Sequence, residues 1–86
     1  MIALTPPALV DAMRDPAIVG VTRRMYDWCL LHLDFHEYRP VKKRGIDRRV
    51  ADKIDTLVVL GYLDRRATSA RDADRYRLLW SRRPVE

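Results

Sequence analysis

The chain has one cysteine, three glycines and two histidines among its 86 residues, and each scarcity removes a class of chemistry. One thiol builds neither a disulfide framework nor a cysteine-rich zinc site. Cys29, set among Trp28, Leu30 and Leu31, reads as a small buried hydrophobe. Three scattered glycines leave no glycine-rich loop to cradle phosphates. No apolar run approaches the roughly 18 residues of a membrane span. The opening MIALTPPALVDAMRD has neither the basic n-region nor the sustained apolar stretch of a secretory signal. A cytoplasmic protein without membrane contact is therefore expected. His32 and His36 have the i, i+4 spacing of two ligands on one helical face, but no third ligand accompanies them, so no metal is expected. No Ser/His/Asp arrangement and no poised carboxylate pair is visible, and neither catalysis nor a cofactor is expected.

What is present is enough apolar surface for one core and a dense charged exterior: 48% of residues are hydrophobic and 34% charged. A chain of this length makes one small domain. The net charge of +5 is unevenly spread. Residues 1–34 hold three arginines and four aspartates, a net −1, whereas residues 35–86 hold fourteen Lys and Arg against eight acidic residues, a net +6. A basic half on a small domain points to a polyanionic partner.

Local signals divide the chain. Thr5 before Pro6 and Pro7 reads as an N-cap ahead of prolines that suit a first helical turn, predicting a short helix over 7–14 with Leu9, Val10 and Met13 on one face. Asp15-Pro16 repeats the signal, so the chain turns and restarts for about one helical turn that Gly20 ends. Thr22 caps the next helix, over 22–34, whose apolar residues are spread widely enough to bury more than one side. Residues 38–41, YRPV, suit a brief edge strand, the sheet position that tolerates proline. From Asp47 to Leu60 the apolar positions Val50, Ala51, Ile54, Leu57, Val58 and Leu60 fit an amphipathic helix, with Asp47 as N-cap and Gly61 as C-terminal glycine. Residues 62–66 and 75–80 read as two strands around the polar loop ATSARDAD, a hairpin with a long tip. Residues 81–86 are expected to fray.

The segments TRRMYDWCLLHLDFHEYRPVK, GIDRRVADKIDTLVVLGYLDRR and RYRLLWSRR, in that order, resemble the winged helix-turn-helix domains of bacterial and phage repressors and replication initiators. There a recognition helix ends in a leucine-glycine-aromatic-leucine turn, matched here by Leu60, Gly61, Tyr62 and Leu63. The likeness covers residues 18–80. It implies a mainly α fold with a small β-hairpin (α+β), a 1–17 N-terminal helical extension, an 18–80 winged-helix core and an 81–86 tail. Members of that family place a whole helix and a turn between the short strand and the Gly-Ile before the recognition helix, where this chain has only Lys42, Lys43 and Arg44. Either the second helix shrinks to about one turn, or 42–49 is helical and a short recognition helix follows.

On that resemblance the exposed start of the recognition helix carries Arg48, Arg49, Asp52 and Lys53. Arginine there suits bidentate contact with guanine or a grip on phosphate. Lys42, Lys43 and Arg44 are placed to touch phosphates, which fix register without reading sequence. In the hairpin, Arg71 sits at the tip, with Arg65, Arg66, Arg75 and Arg77 on the arms, as in a wing laid along a groove. The competing reading is a solvated face, with Asp47, Asp52, Asp55, Asp72 and Asp74 offsetting part of the field. Trp28, Tyr62 and Trp80 are possible stacking platforms, although Trp28 and Tyr62, inside apolar periodic segments, read better as core. The expected partner is double-stranded DNA, in transcription regulation or replication, with a homodimer through the N-terminal helix if sites are palindromic. The alternative is a protein-protein adaptor or phage-encoded inhibitor that binds an acidic protein surface.

Overall fold

The computed structural model describes residues 4–68 and 73–84. The protein is an α+β domain of helices α1 (Pro7–Arg14), α2 (Gly20–His32), α3 (Arg48–Ala51) and α4 (Ile54–Val59). Its three-stranded antiparallel sheet comprises β1 (Arg39–Pro40), β2 (Leu63–Arg66) and β3 (Arg75–Leu78), in the order β1-β3-β2. No helix among the described residues is long and apolar enough to cross a membrane.

Helix α1 spans the residues its pattern predicts, but the cap differs. Pro6, not Thr5, is the N-cap, and no side chain caps the helix. The Pro6 carbonyl accepts from the Leu9 and Val10 amides, and proline at N1 costs nothing because its missing N–H would be unpaired there anyway. Ala8 and Ala12, one turn apart, are buried, while Leu9 packs half-buried against the core. After α1 no helix restarts. Asp15 Oδ1 accepts from the Ala17 amide at 2.9 Å in an Asx turn, the local bond with which aspartate competes against helix. The turn delivers Ile18 to the core at 3% exposure.

Gly20 begins α2 rather than ending an earlier helix, Thr22 is buried inside α2 rather than capping it, and the helix stops at His32. Met25, Tyr26 and Cys29 face the core, with Val21, Trp28 and Leu30 flanking them. Leu31 is 82% exposed, so the buried stripe is broad but does not encircle the helix.

Asp47 is the N-cap of α3, accepting from the Arg49 amide at 2.9 Å. The segment expected as one helix over 47–60 is divided at Asp52–Lys53, and 42–49 is not a helix either, since residues 44–46 turn and α3 starts at Arg48. At the division the Lys53 amide bonds Val50, three residues back, instead of four. That tightened turn leaves Val50, Ile54 and Leu57 on one buried face.

Helix α4 ends in a Schellman motif. The Gly61 amide donates to the Val58 carbonyl and the Tyr62 amide to Leu57, with Gly61 at φ +91°, the pairing that satisfies the last carbonyls of a helix. The chain passes directly into β2. Leu63 pairs with Leu78 and Arg66 with Arg75 across the hairpin, and Arg39 pairs with Tyr76 on the other side of β3. Proline at position 40 is tolerated because β1 is an edge. β3 ends at Leu78, two residues before the strand predicted from alternation.

The tail over 81–84 is anchored, not frayed. Arg82 Nε donates to the Leu60 carbonyl at 2.9 Å, the Arg83 amide to Gly61 at 2.8 Å, and Arg83 Nη2 lies 3.3 Å from Asp64 Oδ1. The tail closes over the α4–β2 corner because the carbonyls of that corner have no helical partner of their own.

Candidate functional site

Lys42, Lys43, Arg44, Arg48 and Arg49 are all exposed between the end of β1 and α3, with the half-buried Ile46 separating the first three from the last two. Asp47, the acidic residue nearest them in sequence, is committed to capping: its Oδ1 accepts the Arg49 amide and stands 4.0 Å from Arg49 Nε. The Arg49 side chain is 87% exposed, so that contact leaves its guanidinium open to solvent. Lys42, Lys43, Arg44, Arg48 and Lys53 make no ion pair among the described residues. Asp52 and Asp55 do not split the cluster. Asp55 Oδ1 instead accepts from the Tyr76 hydroxyl at 3.0 Å and from Arg65 Nη1 at 3.3 Å.

The three residues of that bridge line an open groove of about 680 Å³. Lys42, Lys43 and Arg44 line one part of it, Asp55, Arg65, Asp74 and Tyr76 another. Arg65 is held by Asp55 on one side and by Asp74, 3.1 Å from its Nε, on the other. It therefore serves the groove's frame more than a ligand. Burial and the Asp55 hydrogen bond push the Tyr76 hydroxyl well above the usual phenol range, so it remains the donor in this bridge at neutral pH.

The other hairpin cations are placed differently. Arg66 and Arg77 put their guanidiniums 4.6 and 4.9 Å from the Tyr38 ring centroid, within cation–π range. The Tyr38 hydroxyl donates to Asp64 Oδ2, which also faces Arg77 and Arg83. Arg75 is exposed opposite Arg66. Arg71, expected at the tip of the wing, lies outside the described residues. The structure thus sets Lys42, Lys43 and Arg44 along the groove, leaves Arg48 and Arg49 exposed at the start of α3, places Arg66 and Arg75 opposite each other on the two hairpin arms, and takes Arg65 into internal pairs.

Among the aromatics, Tyr62 is fully buried as the pattern predicts. Trp80 is 46% exposed and edge-on to Phe35 at 5.4 Å. Trp28 is not a core residue but a half-buried rim residue, stacked on the exposed His32 with ring centroids 4.4 Å apart. Their i, i+4 spacing on α2 was the available signal, since such side chains meet on a helix surface. No group of three or more His, Cys, Asp and Glu among the described residues is placed to hold a metal ion.

One cluster escapes a reading of single segments. Asp15 Oδ2 accepts from the Tyr62 hydroxyl at 2.8 Å and stands 3.2 Å from Arg82 Nη2, while Arg82 also lies over the Tyr62 ring. The Ala17 amide first, then Tyr62 and Arg82, hold the Asp15 carboxyl below its ordinary 3.8. The His36 and Glu37 amides, with Arg39, hold Asp34 down at about 2. Both carboxylates have lower values folded than unfolded, so their stabilisation is complete above about pH 4 and lost as pH falls through the folded values. The urea midpoint should stay level from neutral pH to about pH 5 and drop toward pH 2. In Asp15→Asn that drop should be shallower, and an unchanged acid limb would remove Asp15 from the account.

The chain matches no family model, no curated protein and no solved structure.

Proposed function

We propose that the protein binds nucleic acid, double-stranded DNA first, through phosphate contacts made by Lys42, Lys43, Arg44, Arg48 and Arg49, as a small regulator or replication accessory of winged helix-turn-helix type. The observation that carries this reading is five exposed cations within the eight residues 42–49, with Asp47 their sole ion-pair partner among the described residues, and that at 4.0 Å. Clustered cations without counter-charges are costly to hold together unless a polyanion or salt relieves their repulsion. Element order supports the winged-helix likeness: a helix, a short strand, a helical segment and a hairpin, with β3 between β1 and β2. A palindromic site would call for two copies, and the exposed Val10 and Met13 of α1 offer an apolar surface for pairing them.

The mode of contact departs from the family pattern. The solvent side of α4 carries Asp55 and Val59, the latter 73% exposed, so this helix brings no cation to base edges. Phosphate gripping by the preceding edge, with Arg66 and Arg75 on the hairpin, is the better fit. The same feature favours the second reading, a protein adaptor whose basic edge meets an acidic partner surface.

Fluorescence anisotropy of a labelled mixed-sequence duplex, titrated at several salt concentrations, separates the two. The wild type should show affinity falling steeply with salt. Arg48→Ala/Arg49→Ala should lower the slope of log K against log salt by about 1.8, at about 0.9 per lost phosphate contact. Absence of binding at low salt would reject the DNA reading and direct the search to an acidic protein.

A further inference from the structure

A second groove, of about 370 Å³, is lined by Trp28, His32, Arg39, Pro40 and Lys42. Lys42 lines both this groove and the larger basic one, so the two meet at one cation. The second differs in kind. Its wall is an aromatic pair, the Trp28 indole and the His32 imidazole, 4.4 Å apart and inclined by 30°, with the Pro40 ring beside it. Its charge comes from Lys42, which has no ion pair among the described residues, and from Arg39, whose Nη2 is 3.2 Å from Asp34 Oδ2. No carboxylate lines it.

We infer that this groove takes one unpaired nucleobase, stacked on the Trp28–His32 pair, with Lys42 on the adjoining phosphate, so that the protein engages duplex ends or junctions bearing a single strand. The inference rests on the nucleic-acid reading above and deepens it. A π-surface accepts any base because every base has a π-face, and a neighbouring cation tracks the backbone. A groove that presents cations and no anion suits a polyanion's base over an acidic peptide, which would leave its apolar ring wall without a partner. His32 is exposed and near the end of α2, so a base extends an existing two-ring stack without opening the core. Continuity through Lys42 means that a strand leaving the duplex on the 42–49 edge reaches the aromatic pair directly.

The test compares, at one fixed salt concentration, a blunt duplex, the same duplex with a short oligo-dA overhang at either strand end, and the overhang sequence alone. Wild type, His32→Ala and Trp28→Leu are titrated with each. Leucine keeps apolar volume at position 28. His32→Ala, at an exposed position, carries the test should Trp28→Leu fail to fold. The wild type should prefer the overhang duplex about tenfold, the scale of one stacked base. Both variants should bring that ratio close to one while leaving blunt-duplex affinity unchanged. Equal affinity of the wild type for blunt and overhang duplexes would overturn the inference and leave the duplex reading standing, and so would a preference that survives in both variants. Overhang or single-strand binding that depends on His32, without blunt-duplex binding, would support the inference and reject the duplex reading. No binding to any of the three would reject both.

Discussion

Replacing Gly61 with alanine should cost about 2–5 kcal/mol, from a left-handed conformation worth about 1–2 and a steric displacement worth about 1–3. Gly61 sits at φ +91°, and a Cβ built there would stand 2.3 Å from the Arg83 carbonyl oxygen and 3.1 Å from its amide nitrogen. Both neighbours are backbone, so no rotamer change relieves them. Moving Arg83 away breaks its amide bond to the Gly61 carbonyl and disturbs Arg82, which caps Leu60. For a chain of this size total stability is about 4–13 kcal/mol, so the variant forfeits much of it. Gly45 provides the control: φ is +85° there, yet nothing lies within 4 Å of an added Cβ. Gly45→Ala should therefore show only the conformational part, about 1–2 kcal/mol. Urea denaturation of the two variants isolates the steric part as their difference. Equal costs would mean that the 81–84 segment does not close over Gly61 in solution.

That closure also marks the limit of what could be read from the chain. Periodicity and turn chemistry located α1, the Asp47 cap, the Gly61 terminus and both hairpin strands, because each is a local matter of residue spacing and backbone preference. The division at Asp52–Lys53 was invisible: a turn tightened from i−4 to i−3 bonding keeps Val50, Ile54 and Leu57 on one face, and the apolar period continues through it. The tail read as free because its partners, Asp15, Leu60 and Gly61, are far away in sequence. The basic run from Lys42 to Arg49 was legible as charge, but its lack of counter-ions was not. That depended on Asp55 turning toward Arg65 and Tyr76, and on Asp47 being spent on a cap. Trp28 misled for a related reason. An indole within an apolar stretch reads as core, and only the packing of α2 shows it half-buried on the rim beside His32.

A ring buried as deeply as that of Tyr62 gives the second large effect, and its hydroxyl separates packing from polar coupling. Tyr62 has no exposed surface, its ring lies 5.6 Å from that of Tyr26, and its hydroxyl donates to Asp15. Tyr62→Ala removes the ring, leaves a cavity between α2 and the α4–β2 corner, and should cost about 3–5 kcal/mol, as for other large-to-small aromatic substitutions. Tyr62→Phe keeps the ring and removes one donor to a carboxylate, for about 1–3 kcal/mol at neutral pH. Because Tyr62 helps to hold the Asp15 carboxyl low, the phenylalanine variant, already less stable at neutral pH, should also lose less stability than the wild type as pH falls toward 2. In Tyr62→Phe/Asp15→Asn the costs should not add, with a coupling of about 0.5–3 kcal/mol expected for groups in one hydrogen-bond network. Additive costs would show the two residues to be independent. The cluster joins the turn after α1, the start of β2 and the tail, whereas the basic edge runs from β1 into α3. Tyr62→Phe should therefore lower the urea midpoint and leave the salt slope of duplex binding unchanged, and Arg48→Ala/Arg49→Ala should do the reverse. A variant that moved both would mean that the basic edge depends on the Asp15–Tyr62–Arg82 cluster for its conformation, and the two would then have to be treated as a single unit.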